Sequence, residues 1–240
     1  MCAALCRSSI VKTNNPPEHV DCFALCLFER YTFSMYYQLR EEHPMEFRDT
    51  VLKRRMVRNF ADLQVDPFIV DRILEQTRHA PSAGFTQGQS FIVVTRPELK
   101  KAIAETCEED EYVQRGFAPF ISRAPVLLIP CTSETAYHRR YQEADKVNDD
   151  GTEIVWPVPY WFMDIGCAVM IALLAAIDEG LVTAFVGSKD LDTLRSLLNI
   201  PAEVTPVGVI ALGYRAPDIP SPSLKRGRKS DDEYIHRERW

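Results

Sequence analysis

The sequence predicts one domain in which helices and strands are intermixed, an α/β or α+β fold. Three segments carry this prediction. Asp66 is a helix N-cap followed by a proline at the first helical position, and apolar residues then recur on one helical face up to His79. Residues 124–131 form a short apolar run typical of a buried strand. The most apolar stretch, residues 161–179, ends at Gly180 and predicts a buried helix.

The other elements follow from the same periodicities. In chain order they are a helix over 47–55, a strand over 90–95, a helix from Pro97, a polar and then aromatic loop or lid over 138–160, a strand over 181–186, a helix over 188–198, a strand over 204–212 and a Pro-rich, charged tail over 216–240. Residues 1–44 show no sustained period. We therefore expect an N-terminal extension over 1–44, poorly ordered or non-essential, before a domain over 45–240.

Composition excludes several classes of protein. The 240 residues include 28 Lys and Arg against 34 Asp and Glu, a net charge of -6, which argues against a nucleic-acid surface. The longest apolar run, 165–177, is shorter than the roughly 18 residues that span a membrane. The N-terminus shows no signal-peptide pattern. We expect a cytoplasmic protein that binds neither nucleic acid nor membrane.

Cysteines and histidines give little sign of a metal. Cys107, Cys131 and Cys167 lie in apolar surroundings and are predicted to be reduced core residues. Two C-x3-C pairs, formed by Cys2, Cys6, Cys22 and Cys26, have a spacing that could hold zinc, but no turn glycines flank them. Incidental cysteines are the favoured interpretation of the two pairs. His138 has no partner at a metal-binding spacing, so no metal site is predicted.

Glycine is scarce, and its placement excludes two phosphate-binding loops. The ten glycines begin at Gly84 and include no G-x-G pair, so neither a dinucleotide-binding turn nor a P-loop is present. Any phosphorylated cofactor must be held largely by side chains. Four cations fall within 53–58 and four more within 225–229. They form either two solvated faces or two parts of one anion site, because arginine grips phosphate oxygens bidentately; a nuclear-localisation signal is a weaker alternative for the first cluster.

Five segments in order resemble the FMN-dependent nitroreductases. Residues 54–60 (R-R-M-V-R-N-F) are similar to the family's R-R-S-[IV]-R-x-[FY] entry motif, and 80–87 (A-P-S-A-G-F-T-Q) to its A-P-S-x-x-N-x-Q segment. Residues 180–187 resemble its G-L-G-x-x-x-[IV]-G strand, 206–214 its last core strand, and 226–240 its basic tail. The resemblance runs from Met45 to Trp240. It implies an α+β nitroreductase-like fold, with a mostly antiparallel sheet flanked by helices, in an intertwined homodimer.

The resemblance also implies roles for individual residues around an FMN bound in the dimer interface. Arginines from both ends of the domain would hold its phosphate, the 81–83 segment would line the flavin from the neighbouring subunit, and backbone N–H groups at the end of the 181–186 strand would face N5. Residues 161–179 match the central dimer helix. The residues assigned in this way are Arg54, Arg55, Met56, Arg58, Pro81, Ser82, Ala83, Gln87, Val186, Gly187, Arg226 and Arg228.

Departures from the family pattern reshape the expected acceptor site. Met56 replaces a serine that donates to the phosphate, and Phe85 replaces an asparagine near the ring. Phe85, Tyr141 and Trp156 are candidates for the substrate pocket. Each has a plainer alternative: Phe85 as a core aromatic, Tyr141 on a solvated loop, and Trp156 with its aromatic neighbours packed at a corner of the domain.

The implied reaction is a ping-pong hydride transfer. NAD(P)H would pass a hydride to flavin N5, and an electron-poor acceptor such as a nitroaromatic or quinone would then take its place. No protein residue is assigned as catalytic, because the cofactor carries the chemistry. Two alternatives remain: a specialised flavin reaction on the same scaffold, such as reductive dehalogenation or flavin breakdown, and a non-catalytic FMN-binding regulator.

Overall fold

A central antiparallel sheet organises the described part of the chain. The computed structural model describes residues 45–240, and Phe47–Trp240 form one compact unit. The strands are β1 (Gln89–Val94), β2 (Val126–Thr132), β3 (Val182–Val186), β4 (Thr205–Pro206) and β5 (Val209–Gly213), in the order β1-β2-β5-β3 with β4 paired to the end of β2. All these pairings are antiparallel. Every residue of β2 is buried, as its apolar sequence predicts.

Helices cover the sheet. They are α1 (Phe47–Lys53), α2 (Pro67–Thr77), α3 (Pro97–Thr106), α4 (Glu109–Gln114), α5 (Glu134–Tyr141), α6 (Tyr160–Asp178), α7 (Leu191–Leu197) and α8 (Asp231–Tyr234), with short 3-10 turns at Ala83–Phe85 and Pro222–Arg226. The predicted start of α2 is confirmed, since the Asp66 side chain accepts the Phe68 N–H at 2.9 Å. The mixed α+β class is confirmed as well.

The core lies where α2 and α6 pack on the sheet. Ile73 of α2, Ile165 of α6, Leu128 of β2 and Ile210 of β5 are all almost fully buried in one cluster. At the far end of α6, the guanidinium of Arg72 binds both carboxylate oxygens of Glu179, at 2.7 and 3.1 Å. This bidentate pair fixes the direction of α6 relative to α2.

Helix α6 is long and apolar enough to cross a membrane, but more than half of its most apolar stretch is buried inside the domain. It is therefore the core helix that the sequence predicts. One face is exposed nevertheless: Phe162, Met163 and Met170 are between 46% and 56% exposed. Cys167 lies on the same exposed face, so its predicted place in the core is wrong, whereas Cys107 and Cys131 are buried as predicted. Burial raises the pKa of both buried thiols to about 11, which keeps them protonated.

Three local predictions need correction. The loop expected over 138–160 starts only after Tyr141, because Ser133 caps α5 by accepting the Ala136 N–H. The single strand expected over 204–212 is divided into β4 and β5 around Gly208. Gly208 has a φ of 153°, a backbone conformation that residues with a Cβ rarely adopt. The short helices α4 and α8 were not predicted, since neither spans two full turns of periodic sequence.

Candidate cofactor and acceptor site

The arginine segment after α1 is fixed against strand β3. Met56 forms a parallel bridge with Thr183, and the Val57 N–H donates to the Thr183 carbonyl at 2.9 Å. The Phe185 N–H meets the Met56 sulfur at 3.3 Å, so Met56 is used to cover the strand edge. The segment therefore lies beside the strand that ends at Val186 and the exposed Gly187, two residues predicted to face a flavin.

Two arginines of this segment carry buried nitrogens that lack an acceptor. Nη1 of Arg54 and Nε of Arg58 are buried and make no hydrogen bond within the described residues. The Arg58 guanidinium lies 5.1 Å from the ring centre of Phe117 and 6.0 Å from that of Tyr112. A buried N–H donor without an acceptor costs free energy, and an anion that accepts from it removes that cost. The donors present fit a phosphate group.

The other predicted phosphate ligands are placed differently. Arg55 is exposed, and its Nη1 donates to the carbonyls of Leu52 and Arg54 at 2.5 and 2.8 Å, so it caps the end of α1. Arg226 ends a 3-10 turn and Arg228 follows Gly227, and both are exposed. Their convergence with Arg54 and Arg58 on one anion stays a prediction.

The start of the C-terminal tail is tied to the arginine segment. The Arg58 N–H donates to Asp218 Oδ2 at 2.9 Å, and Asn59 Nδ2 donates to the Pro217 carbonyl at 2.8 Å. The tail thus leaves the domain beside Arg58.

A second group of predicted residues lies in the loop over residues 81–87, here called the 81–87 loop. Ser82 Oγ accepts the Gln87 N–H at 2.9 Å. Positive φ angles occur at Gly84 (62°), Phe85 (55°) and Gln87 (55°). A non-glycine residue in this conformation costs on the order of 1–3 kcal/mol and persists only where surrounding contacts enforce it. The loop is therefore held in a strained conformation, and Phe85 is 76% exposed on it, which excludes the core-aromatic alternative within this chain.

Asp164 is the principal anchor of the 81–87 loop. This buried carboxylate accepts both the Ala83 N–H and the Tyr137 hydroxyl through Oδ2, each at 2.8 Å. Burial and this hydrogen bond raise the pKa of Tyr137. A sequence signal for this role exists: Asp164 is the one charged residue inside the apolar stretch 161–177. A charged group on a buried helix needs hydrogen-bond partners.

Arg140 ties the same loop to the segment over residues 142–159, here called the insert. Its Nε donates to the Gly84 carbonyl at 2.9 Å, while Nη1 and Nη2 each reach an Asp145 carboxylate oxygen at 2.6 Å. The guanidinium lowers the pKa of Asp145 to about 2, so the pair stays charged at neutral pH. Nothing in the spacing of Arg140 singled it out, since the contact joins residues 56 positions apart.

The aromatic residues around the insert pack on one another. Trp156 lies 4.5 Å from Tyr141 and 5.8 Å from Trp161, measured between ring centres. Tyr137, Tyr160 and Phe162 extend the same cluster. Trp156 packs within this aromatic cluster, and its place in the substrate pocket stays a prediction. Tyr141 belongs to α5 and supports Gly84, because a Cβ on Gly84 would come within 2.8 Å of its ring.

An ion pair fastens the insert to α5. Glu153 Oε1 lies 2.6 Å from His138 Nδ1 and accepts the Trp156 indole N–H at 2.5 Å. Glu153 raises the pKa of His138, with a smaller contribution from Glu134. The indole of Trp156 and then His138 lower the pKa of Glu153. The ion pair between His138 and Glu153, here called the clasp, therefore holds the insert to α5 next to Trp156.

This clasp predicts a pH dependence. The raised pKa of His138 means that the pair contributes fully below about pH 6.5 and is lost as pH rises through the folded-state value. The lowered pKa of Glu153 means that the contribution is present above about pH 4.5 and is lost as pH falls further. Because both groups are partly exposed, we expect about 1 kcal/mol or less. The melting temperature of His138→Gln should fall below that of the wild type at pH 6 and approach it at pH 9; a constant difference would contradict the clasp.

A cavity of about 470 Å³ lies between the end of α2, the 81–87 loop and the start of β1. Leu74, Arg78, Gln89 and Phe91 line it, and Gln87 is the predicted site residue among its walls. A volume of this size can hold a small organic molecule.

Metal ligands are not gathered anywhere in residues 45–240, where no group of three or more His, Cys, Asp or Glu side chains is placed to hold an ion. The four N-terminal cysteines lie outside the described residues, as does the rest of the predicted extension over 1–44.

An antiparallel α+β domain with an arginine segment fixed beside a core strand defines a class that the comparisons with known proteins identify. The model of the nitroreductase family matches residues 51–214. The chain belongs to the nitroreductase family, and it is an oxidoreductase.

Named relatives and a solved structure agree with this assignment. An FMN reductase [NAD(P)H] of Bacillus subtilis is 28% identical over 191 residues, covering 78% of this chain and 71% of the relative. An iodotyrosine deiodinase of Nematostella vectensis is 27% identical over 204 residues, covering 75% and 71%. The crystal structure of a nitroreductase family protein from Streptococcus pneumoniae TIGR4 superposes with a TM-score of 0.63 at 22% identity, covering 80% of this chain and 100% of that chain.

Proposed function

We propose that this protein is an FMN-dependent NAD(P)H oxidoreductase that reduces an electron-poor acceptor such as a nitroaromatic or a quinone. The single observation that carries the proposal is the pair of buried arginine nitrogens, on Arg54 and Arg58, that lack an acceptor. The name of the Bacillus subtilis relative supports both cofactors. FMN, when bound, supplies the centre that accepts and donates hydride.

The residues of the chain bind and orient in this proposal. Arg54 and Arg58 hold the phosphate from the segment fixed on β3, with Arg226 and Arg228 reaching it from the tail. Met56 offers no hydroxyl, and its sulfur already meets the Phe185 N–H, so the phosphate relies more heavily on arginine. Val186 and Gly187 present backbone at the end of β3.

The 81–87 loop forms the acceptor side of the proposed site. Pro81, Ser82, Ala83 and Gln87 line the flavin, and the exposed Phe85 ring stacks on the acceptor. Tyr141 supports the loop from beneath, and Trp156 supports Tyr141.

We also propose a homodimer with FMN in the interface. The exposed apolar face of α6, with Phe162, Met163 and Met170, is unlike the surface of an isolated domain. Phe47 and Leu52 of α1, 74% and 56% exposed, add to the apolar surface. A second copy would bury both and would bring the 81–87 loop of one subunit to the arginine segment of the other. The proposed setting is the cytoplasm.

Residues 1–44 are not needed for this function in our proposal. The family match begins at residue 51, and Phe47–Trp240 form a compact unit. A chain that starts at Met45 should bind FMN with an affinity within about twofold of that of the full chain, a difference smaller than one hydrogen bond contributes. Loss of FMN from the shorter chain would contradict this.

Anaerobic turnover tests the proposal. The purified protein should be yellow, NADH or NADPH should bleach it, and nitrofurazone or menadione should restore the colour. A bleached protein that fails to reduce either acceptor would favour a specialised reaction such as reductive dehalogenation, for which the iodotyrosine deiodinase relative is the supporting observation. A yellow protein that neither nucleotide bleaches would favour a regulator, and a protein unable to take up FMN would refute the proposal.

A further inference from the structure

The strained 81–87 loop is not self-supporting. Its internal hydrogen bonds run from the Phe85 and Gln87 N–H groups to Ser82 and from the N–H and Oγ1 of Thr86 to the Ala83 carbonyl, and each spans only a few residues. The positive φ angles of Phe85 and Gln87 require support from outside the loop. Asp164 supplies it at Ala83 and Arg140 at Gly84.

Arg140 differs from Asp164 in what holds its own side chain in place. Asp164 belongs to the buried helix α6, whereas the guanidinium of Arg140 is shared between the loop and the insert. Its Nε holds the Gly84 carbonyl, and the other two nitrogens grip the Asp145 carboxylate in a bidentate pair. Nη1 also donates to Glu143 Oε2 of the insert at 2.9 Å, so two carboxylates of the insert orient the rigid, planar guanidinium whose Nε–H holds the Gly84 carbonyl.

The remaining contacts of the insert converge on the same point. Glu153 binds His138 of α5 and the Trp156 indole, and Trp156 packs on Tyr141, whose ring lies beneath Gly84. The two ends of the insert are therefore each one side chain away from Gly84, the residue next to Phe85: Asp145 through Arg140, and Trp156 through Tyr141.

We propose that Arg140 is a positioning residue through which the insert sets the affinity for the electron acceptor. It holds the Gly84 carbonyl, and thereby fixes the Phe85 ring in the orientation that the acceptor meets. The inference rests on the proposed function, because it assigns the acceptor to the side of Phe85. A fixed ring spares the acceptor the entropy cost of ordering the loop.

Steady-state kinetics of the holoenzyme test this role. Arg140→Ala should raise the KM for nitrofurazone about tenfold and leave kcat within about twofold, since the variant loses binding rather than chemistry. Asp145→Asn should shift KM in the same direction by less, and adding it to Arg140→Ala should change little more. Arg140→Lys should recover part of the loss. Arg139→Ala is the matched control, because it removes an exposed cation from the neighbouring position of α5.

Hydrogen exchange supplies a readout that does not depend on turnover. The backbone amides of the 81–87 loop should exchange faster in Arg140→Ala and Asp145→Asn, and at the wild-type rate in Arg139→Ala, while those of β2 stay protected in all three. An unchanged KM with unchanged loop exchange would overturn the inference. So would a fall in kcat at constant KM with faster exchange across the whole domain, which is the signature of a merely structural residue.

Failure of the proposed function and failure of this inference give different results in these experiments. A wild-type protein that reduces no acceptor would refute that function, while loop exchange would still show whether Arg140 links the insert to the 81–87 loop.

Discussion

Replacing Arg58 and Arg228 together by alanine is expected to weaken FMN binding by more than about a hundredfold. Each hydrogen bond from a charged group contributes about 1.5–3 kcal/mol, and tenfold in affinity corresponds to about 1.4 kcal/mol. Arg58 should account for the larger share, because its Nε is buried and lacks an acceptor within the described residues, whereas Arg228 is exposed. Titration of the apoprotein with FMN, followed by the quenching of flavin fluorescence, measures the effect.

Turnover separates binding from chemistry in this variant. With FMN added to saturation, the double variant should oxidise NAD(P)H at a rate within about threefold of that of the wild type, because the phosphate lies away from the reacting ring. Lys101→Ala combined with Arg139→Ala, which removes two exposed cations outside the arginine segment and the tail, is the control for net charge. Equal losses of FMN affinity and saturated turnover would contradict a phosphate-binding role.

Placing a charge on the exposed face of α6 is expected to separate the subunits. Met170→Glu puts a carboxylate into the proposed interface twice, once from each copy, and an unpaired buried charge costs several kcal/mol. The dimer dissociation constant should rise by at least about a hundredfold, and FMN should be lost with the dimer because each site would take residues from both copies. Analytical ultracentrifugation and the flavin content of the same sample measure both.

Val155→Glu is the control for this substitution. Val155 is 91% exposed, far more than Met170 at 47%, yet it lies in the insert rather than on α6. The control should remain a dimer with full flavin. A Met170→Glu protein that is monomeric but keeps its FMN would show that one chain holds the cofactor alone.

Local sequence rules account for most of the fold. Helix α2 follows from the Asp66 cap and its apolar period. The apolar runs of α6 and β2 differ in length, and the long run predicts a helix while the short run predicts a strand. Where the pattern was short or interrupted, prediction failed: α4 starts after Glu108, whose φ of 53° no sequence rule required, and Gly208 divides a strand that looked continuous.

The candidate site could be predicted only in part, for a physical reason. The arginine segment is contiguous in sequence, so its chemistry is visible as a motif. The supports of the 81–87 loop are not: Asp164 binds Ala83 across 81 positions and Arg140 binds Gly84 across 56. Such contacts arise because α5 and α6 both pack against the 3-10 turn at Ala83–Phe85. The environment of Arg58 is similar, since its guanidinium lies on the rings of Phe117 and Tyr112 in a segment whose helix was not predicted.

The central claim is that side chains of this chain hold the phosphate of FMN in place of a glycine-rich loop. The most direct test compares the dissociation constants of the wild-type apoprotein for FMN and for riboflavin, which has the same ring but no phosphate. The account predicts that FMN binds at least about a hundredfold more tightly, the contribution of two or more charge-assisted hydrogen bonds. Equal affinities for the two flavins would contradict it.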